Sequence, residues 1–307
     1  MSDQSLQSQD AAPKLVLART LEQAPNRAFV NIDSKGQVLS PGRYRASAWF
    51  RQAVAAGLLV GAPVVLTLAY GAVGVVVGGV LGGLLGWRLV WSSKVRRAVA
   101  LLVQDRTAEA RVLLQQVRKS AFVPRLARAL AEQNLGACHA RECNYDQALE
   151  HQLAAIALHA RGRQTVFAHL VEYASIHTLI NLDRVTEARS RLEDKGVADD
   201  KGDYLRIQHW VAELHVCMAE GAHALDDEEL YRRAREALGI TSAASLLGLL
   251  AWAHRESDDE EQAWLLLHEA LDRKDGTLIE RTMPRLGAWM SEHADKAQAF
   301  DLLDDMA

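Results

Sequence analysis

From Ala53 to Trp87 the chain carries no charged residue, a run of 35. No other feature restricts the fold so strongly, because a continuously apolar stretch of about 18 residues or more reads as membrane-spanning. As a single helix the run is roughly 50 Å long at 1.5 Å per residue, against a hydrocarbon core of about 30 Å. Two crossings fit that thickness, so the sequence predicts a glycine-rich transmembrane hairpin over residues 49–92. Trp49 and Trp91 each lie 21 residues from Tyr70, and Gly71 beside it suits a tight turn. Aromatics mark membrane interfaces. Basic residues flank the run on both sides, Arg43, Arg45 and Arg51 before it and Arg88, Lys94, Arg96 and Arg97 after it. With both ends of a hairpin so charged, the positive-inside rule places both in the cytoplasm.

Within the run, Gly74, Gly78, Gly82 and Gly86 recur every fourth residue, and Gly57 and Gly61 offer a similar face on the first arm. Residues four apart share a helix face, and glycine there lets a second helix approach closely. This spacing resembles glycine-zipper membrane segments. The resemblance implies helix-on-helix packing and allows homo-oligomerisation through the glycine face.

Ahead of the run, residues 1–48 form a polar arm. Its first 26 residues, rich in Gln, Ser, Asp and Ala, bury little and read as a mobile tail. "AFVNIDSKGQVLSPG" alternates apolar and polar residues around Ser34, Lys35 and Gly36, the pattern of a small β-hairpin. The polar start of the chain predicts no cleaved leader.

Residues 93–307 read as amphipathic helices separated by short polar turns, with an internal period of 38–40 residues. In "ALAEQNLGACHARECNYDQALEHQLAAIALHA", Leu135 and Gly136 are followed 12 residues on by Ala148 and 7 further by Ala155. The spacing returns as Leu250, Ala251, Ala263 and Ala270, and more loosely as Ala98, Ala110 and Val117. Antiparallel helices need small residues where they cross, and these offsets supply them. A segment around Ile176 and Ala188 lacks the small residue on its first helix, and residues 201–238 depart further.

The arrangement, with its "NYDQAL" start to a second helix, resembles tetratricopeptide repeats, helix-turn-helix units of about 34 residues. The fold expected is therefore all-α: a transmembrane helical hairpin followed by a TPR-like α-solenoid of five to six helix pairs. The resemblance implies a concave face, lined by first helices, that binds protein or peptide segments. Carried over by spacing, that face holds Gln133, Ala137 and Arg141, then Tyr173, His177 and Asn181. Next come Arg206, His209 and Glu213, and finally Trp252 and Arg255. The partner-binding groove is expected at Tyr173, His177, Asn181, Arg206, His209, Glu213, Trp252 and Arg255.

Catalysis is not expected. "CHAREC" and "HWVAELHVC" bring Cys138, His139, Cys143, His209, His215 and Cys217 near one another in sequence. Their spacing does not put two metal ligands on one helix face, so core cysteine beside surface histidine is the expectation, with no metal and no cofactor. No G-x-S-x-G elbow and no phosphate-binding loop occurs. "RESDDEE" reads as a turn whose Ser257, Asp258 and Asp259 cap the next helix. Nucleic acid is disfavoured by charge: of the chain's 35 Lys/Arg and 39 Asp/Glu, residues 1–94 hold nine and four, leaving 26 against 35 in the repeats. Taken together the sequence predicts a membrane-anchored scaffold, recruiting protein partners with a cytoplasmic repeat domain at a bacterial inner membrane. Two alternatives are a single-span protein with its repeats facing the periplasm, assisting export or envelope assembly, and a glycine-zipper oligomer regulated by its repeats.

Overall fold

The computed structural model describes residues 31–32, 38–39, 41–160, 166–195, 202–239, 243–273 and 276–304, with only some of the side chains between 41 and 85. The expected mobile tail lies outside the described residues. So does the turn of the expected β-hairpin, but its arms are present: β1 (Asn31–Ile32) pairs antiparallel with β2 (Val38–Leu39).

All else is helix: α1 (Pro41–Val103), α2 (Thr107–Lys119), α3 (Arg125–Arg141), α4 (Tyr145–Ala160), α5 (Val166–Asn181), α6 (Val185–Lys195), α7 (Asp203–Glu220), α8 (Asp227–Leu238), α9 (Ala244–Glu256), α10 (Glu260–Asp272), α11 (Gly276–Thr282) and α12 (Pro284–Asp304). The all-α expectation holds.

The hairpin does not. α1 is one helix of 63 residues that passes through Tyr70 and Gly71 without turning. Glycine permits a turn but does not impose one, and within a helix every backbone group is already bonded in place. Among the described residues, which leave out most side chains of α1 between 41 and 72, no helix is long and apolar enough to cross a membrane. Nor does a break separate the apolar run from the repeats, because the boundary expected at 92/93 falls inside α1.

Two compact units follow, one comprising Asn31–Ser34 and Val38–Glu172, the other containing Tyr173–Ala307. In the first, Val95, Ala98, Leu101 and Leu102 at the end of α1 form a core with Ala110, Leu114 and Val117 of α2 and with Ala127, Ala131, Leu135 and Cys138 of α3. The second is built around Trp210, Leu214, Leu230, Leu246, Leu250, Trp264, Leu266, Leu286 and Met290.

A common turn sets the register of the repeats. Asp105, Cys143, Asp183, Gly221 and Asp258 each take positive φ, between 57° and 83°. They are separated by 38, 40, 38 and 37 residues. At each, the next amide reaches back five residues: Arg106 to the Leu101 carbonyl, Asn144 to His139, Arg184 to Leu179, Ala222 to Cys217 and Asp259 to His254. This left-handed helix ending satisfies carbonyls the helix would otherwise leave bare.

The small residues sit at fixed offsets from that turn. Seven before it stand Ala98, Gly136 and Ala251; five after it, Ala110, Ala148 and Ala263; twelve after it, Val117, Ala155 and Ala270, all buried. The helices meet closely there: a methyl group placed on Gly136 would lie 3.0 Å from Gln152 Cγ and 3.1 Å from the Ala148 carbonyl oxygen. Where the sequence pattern weakens, the cause is visible. Ile176 replaces the small residue in the third pair, still fully buried, with Ala188 small opposite it. In the fourth, residues 222–226 lengthen the turn, and the Asp226 carboxylate caps α8 by accepting from the Glu229 amide at 2.9 Å.

Filling the crossing at Gly136 should be costly. Gly136→Val is expected to destabilise the protein by about 1–3 kcal/mol through overpacking, read as a lowered thermal midpoint. An unchanged midpoint would show that the α3–α4 crossing is looser than these distances.

Candidate partner-binding surface

The residues expected to line a groove are brought together, but mostly in contacts between helices. Tyr173 on α5 is 2% exposed, its ring edge-on to His209 of α7 at 5.9 Å, with the hydroxyl 3.5 Å from His209 Nδ1. One turn further along α5, His177 places Nδ1 3.0 Å from His215 Nδ1. Such a contact needs one ring nitrogen to donate and the other to accept, so the two rings cannot both be protonated while it holds. Asn181 donates Nδ2 to the Thr282 carbonyl of α11 at 2.8 Å.

Charged members of the set are engaged as well. Arg206 bonds Glu236 at 2.7 Å and lies over the Trp210 ring, which Arg232 and Arg233 also approach. Glu213 accepts from Arg233 at 2.6 Å. Trp252 is buried with His223 edge-on against it at 5.8 Å. Arg255 remains half-exposed. In the first unit Gln133 and Ala137 are half-buried, while Arg141 reaches back to the Leu102 carbonyl at 2.5 Å and so ties α3 to the α1–α2 turn.

Several sequence expectations about single residues change. His139, His209 and His215 are buried rather than on the surface, and Cys143 is exposed in its turn rather than buried in a helix. Asp259 does not cap α10; its carboxylate accepts from the Tyr231 hydroxyl at 2.6 Å. Of the glycines assigned to packing in lipid, Gly82 is half-exposed and Gly86 has nothing within 4 Å of an added methyl, as is also true of Gly79 and Gly83. The surroundings of Gly57, Gly61, Gly74 and Gly78 lie outside the described residues.

One polar cluster escaped the sequence reading. Glu132, on α3 and 6% exposed, receives Arg118 at 3.0 Å and His151 at 2.7 Å, and His151 stacks on His139 at 5.2 Å. A signal was present, since His139 and His151 stand 12 apart like the crossing residues Gly136 and Ala148. The cluster joins α2 to α3 by the Arg118–Glu132 ion pair and α3 to α4 by the His151–Glu132 hydrogen bond.

Activated nucleophiles are not evident in these surroundings. Burial pushes the Cys138 thiol up to about 11 and raises Cys217 as well, which keeps both as thiols at neutral pH. Among the described residues no three His, Cys, Asp or Glu side chains converge to hold a metal ion.

The paired histidines do respond to protons. Burial lowers His177 to about 4, while burial together with His177 and Arg285 holds His215 well below its ordinary value of 6.5. The unfolded chain therefore binds protons that the folded pair refuses, so stability is complete above about pH 6.5 and declines as pH falls toward 4. Thermal unfolding should shift to lower temperature between pH 7.5 and 5, and His177→Gln should flatten that dependence. Equal pH dependence in variant and parent would remove the pair as its cause.

No family model, curated protein or solved structure matches the chain.

Proposed function

We propose that this protein is a membrane-anchored scaffold, in which the apolar part of α1 is held in lipid and the helix pairs beyond it receive protein partners. The supporting observation is the exposure of that helix. Val73, Val76, Val77, Val80, Leu81 and Leu84 are all exposed, as are Trp49, Phe50 and Leu68. Each such side chain is worth about 1.5–3 kcal/mol when moved from water to an apolar setting. A bilayer supplies that setting along the helix, and the absence of charge from Ala53 to Trp87 removes the main cost of entering it.

A single tilted passage is the geometry an unbroken α1 favours. Arg51 and Arg88 are 37 residues apart, about 55 Å along the axis. Tilted by about 40°, the upper end of the usual range, that length projects to roughly 42 Å. Headgroup to headgroup, a bilayer measures about 40–45 Å. The four cations at Arg88, Lys94, Arg96 and Arg97, against three at Arg43, Arg45 and Arg51, favour a cytoplasmic repeat domain. The inner membrane of a bacterium remains the proposed site.

The tetratricopeptide likeness of the helix pairs is supported by the recurring left-handed turn and the small residues at fixed offsets from it, although the interval of 37–40 residues exceeds that family's length. Scaffolding suits this architecture, because stacked helix pairs expose long surfaces. With most of the expected groove residues in helix contacts, partner docking falls to what stays accessible, such as Arg255 in the second unit and the exposed Phe122 and Leu126 in the first.

Self-association through the glycine face has its own support in the empty space around Gly79, Gly83 and Gly86. Gly78→Leu with Gly82→Leu is expected to reduce the oligomer size in mild detergent. Unchanged size in the variant would set this second reading aside.

Alkaline extraction of membranes tests the anchor: the full chain should stay with the lipid, and a chain lacking residues 53–87 should not. Release of the full chain would refute the membrane reading. Reporters fused at Ala307 then decide orientation, with activity only after export favouring the periplasmic alternative.

A further inference from the structure

We propose that the stretch of α1 just past its apolar run is a docking collar for the phosphate headgroups of anionic phospholipids. The inference rests on the membrane reading and adds the lipid class. Between Ser34 and Gln104 there is no Asp or Glu at all, while Arg88, Lys94, Arg96 and Arg97 follow the apolar run within ten residues. An unopposed positive segment at that height is where an anionic leaflet exerts its field.

The fold divides the surface of this segment in two. Val95, Ala98, Leu101 and Leu102 are buried in the core of the first unit, with half-buried Trp91 packed against it. Arg88, Arg96 and Arg97 stay outside that core: all three are exposed, and no ion pair or hydrogen bond engages them among the described residues. At 100° per residue Arg96 and Arg97 fall on the half of the helix opposite the core face, while Arg88, seven residues before Val95, lies on the core side of the helix but two turns ahead of the core. The nearest carboxylate influence is Glu109, whose ionised form Arg97 favours at a distance while Arg106 binds it directly. Lys94 lies over the Trp91 ring, 4.7 Å from its centroid, which holds that cation against the core.

Depth agrees with this assignment. Arg97 is nine residues beyond Arg88, about 13.5 Å along the axis and less along a tilted path. Headgroups occupy the first 5–8 Å or so outside the hydrocarbon, and the surface potential extends about one Debye length of 8–10 Å further. Arg88 thus reaches the phosphates directly, and Arg96 and Arg97 sit within their field. The repeats carry an excess of acid, 35 against 26 beyond residue 94. That excess lies wholly from residue 173 on, since residues 95–172 hold eleven Lys/Arg against seven Asp/Glu, so the stretch of chain next to the collar is itself positive and adds to the attraction for an anionic surface.

The test uses the full chain reconstituted in phosphatidylcholine vesicles containing a minority of phosphatidylglycerol, with each lipid spin-labelled in turn. Electron spin resonance reads the fraction of each lipid immobilised by the protein. The parent should immobilise phosphatidylglycerol preferentially, by about fivefold for each engaged cation at low salt, with the preference shrinking as salt is added. Arg88→Gln with Arg96→Gln and Arg97→Gln should abolish most of it, with helix content unchanged by circular dichroism. The same three positions changed to Lys should keep it, because the attraction is one of charge. Equal immobilisation of both lipids by the parent overturns the collar while leaving the membrane reading intact. Loss of preference in the Lys variant overturns it too. No immobilised fraction for either lipid overturns the collar together with the anchor.

Discussion

Each helix pair depends on a close crossing whose position is set by a turn. The left-handed residue at Asp105, Cys143, Asp183, Gly221 or Asp258 ends the first helix, and the length of the turn decides which residue of the second helix faces back. Where the turn is short, Ala110, Ala148 and Ala263 and, on the preceding helix, Ala98, Gly136 and Ala251 are all buried, and a methyl group on Gly136 would lie 3.1 Å from the Ala148 carbonyl oxygen. A bulkier side chain on both sides would separate the axes and expose the leucines packed around them. Ile176 shows the tolerance of the arrangement, with Ala188 staying small.

Polar groups join the helices in a second way. Tyr173 with His209, His177 with His215, and Glu132 with His151 and Arg118 bring buried polar atoms together across neighbouring helices. Leaving any one of these without its partner would cost more than the pair contributes, so such contacts make the register of the stack specific more than they make it stable. The same contacts take up the side chains that an open concave face would have offered to a partner. His177 and His215 also couple stability to pH, because they are held together as neutral rings.

α1 belongs to both halves of the molecule. Its final turns are core for the first unit, while Val73, Val76, Val77, Val80, Leu81 and Leu84 are exposed. Since a helix is stiff over this length, whatever surrounds the apolar part also fixes the height and direction of the helices that follow. A hinge between the apolar run and the helices after it would have uncoupled them.

Much of this was legible in local sequence. The charge-free run, the change of charge sign after it, and the small residues at offsets of 12 and 7 are properties of neighbours along the chain, and helix periodicity is enough to interpret them. The turn at Tyr70–Gly71 was not legible, because glycine is compatible with both a bend and a straight helix and only the backbone hydrogen bonding distinguishes them. The left-handed turns at Cys143 and Asp258 were hidden for the opposite reason, being made by residues other than glycine. Sequence by itself determined that the chain is helical, where its helices cross and which segment is apolar and free of charge, since those depend on spacing and residue chemistry. Tertiary structure alone decided which histidines meet, which arginines remain free and whether a supposed groove is open, because each of these depends on side chains brought together from helices a full repeat apart.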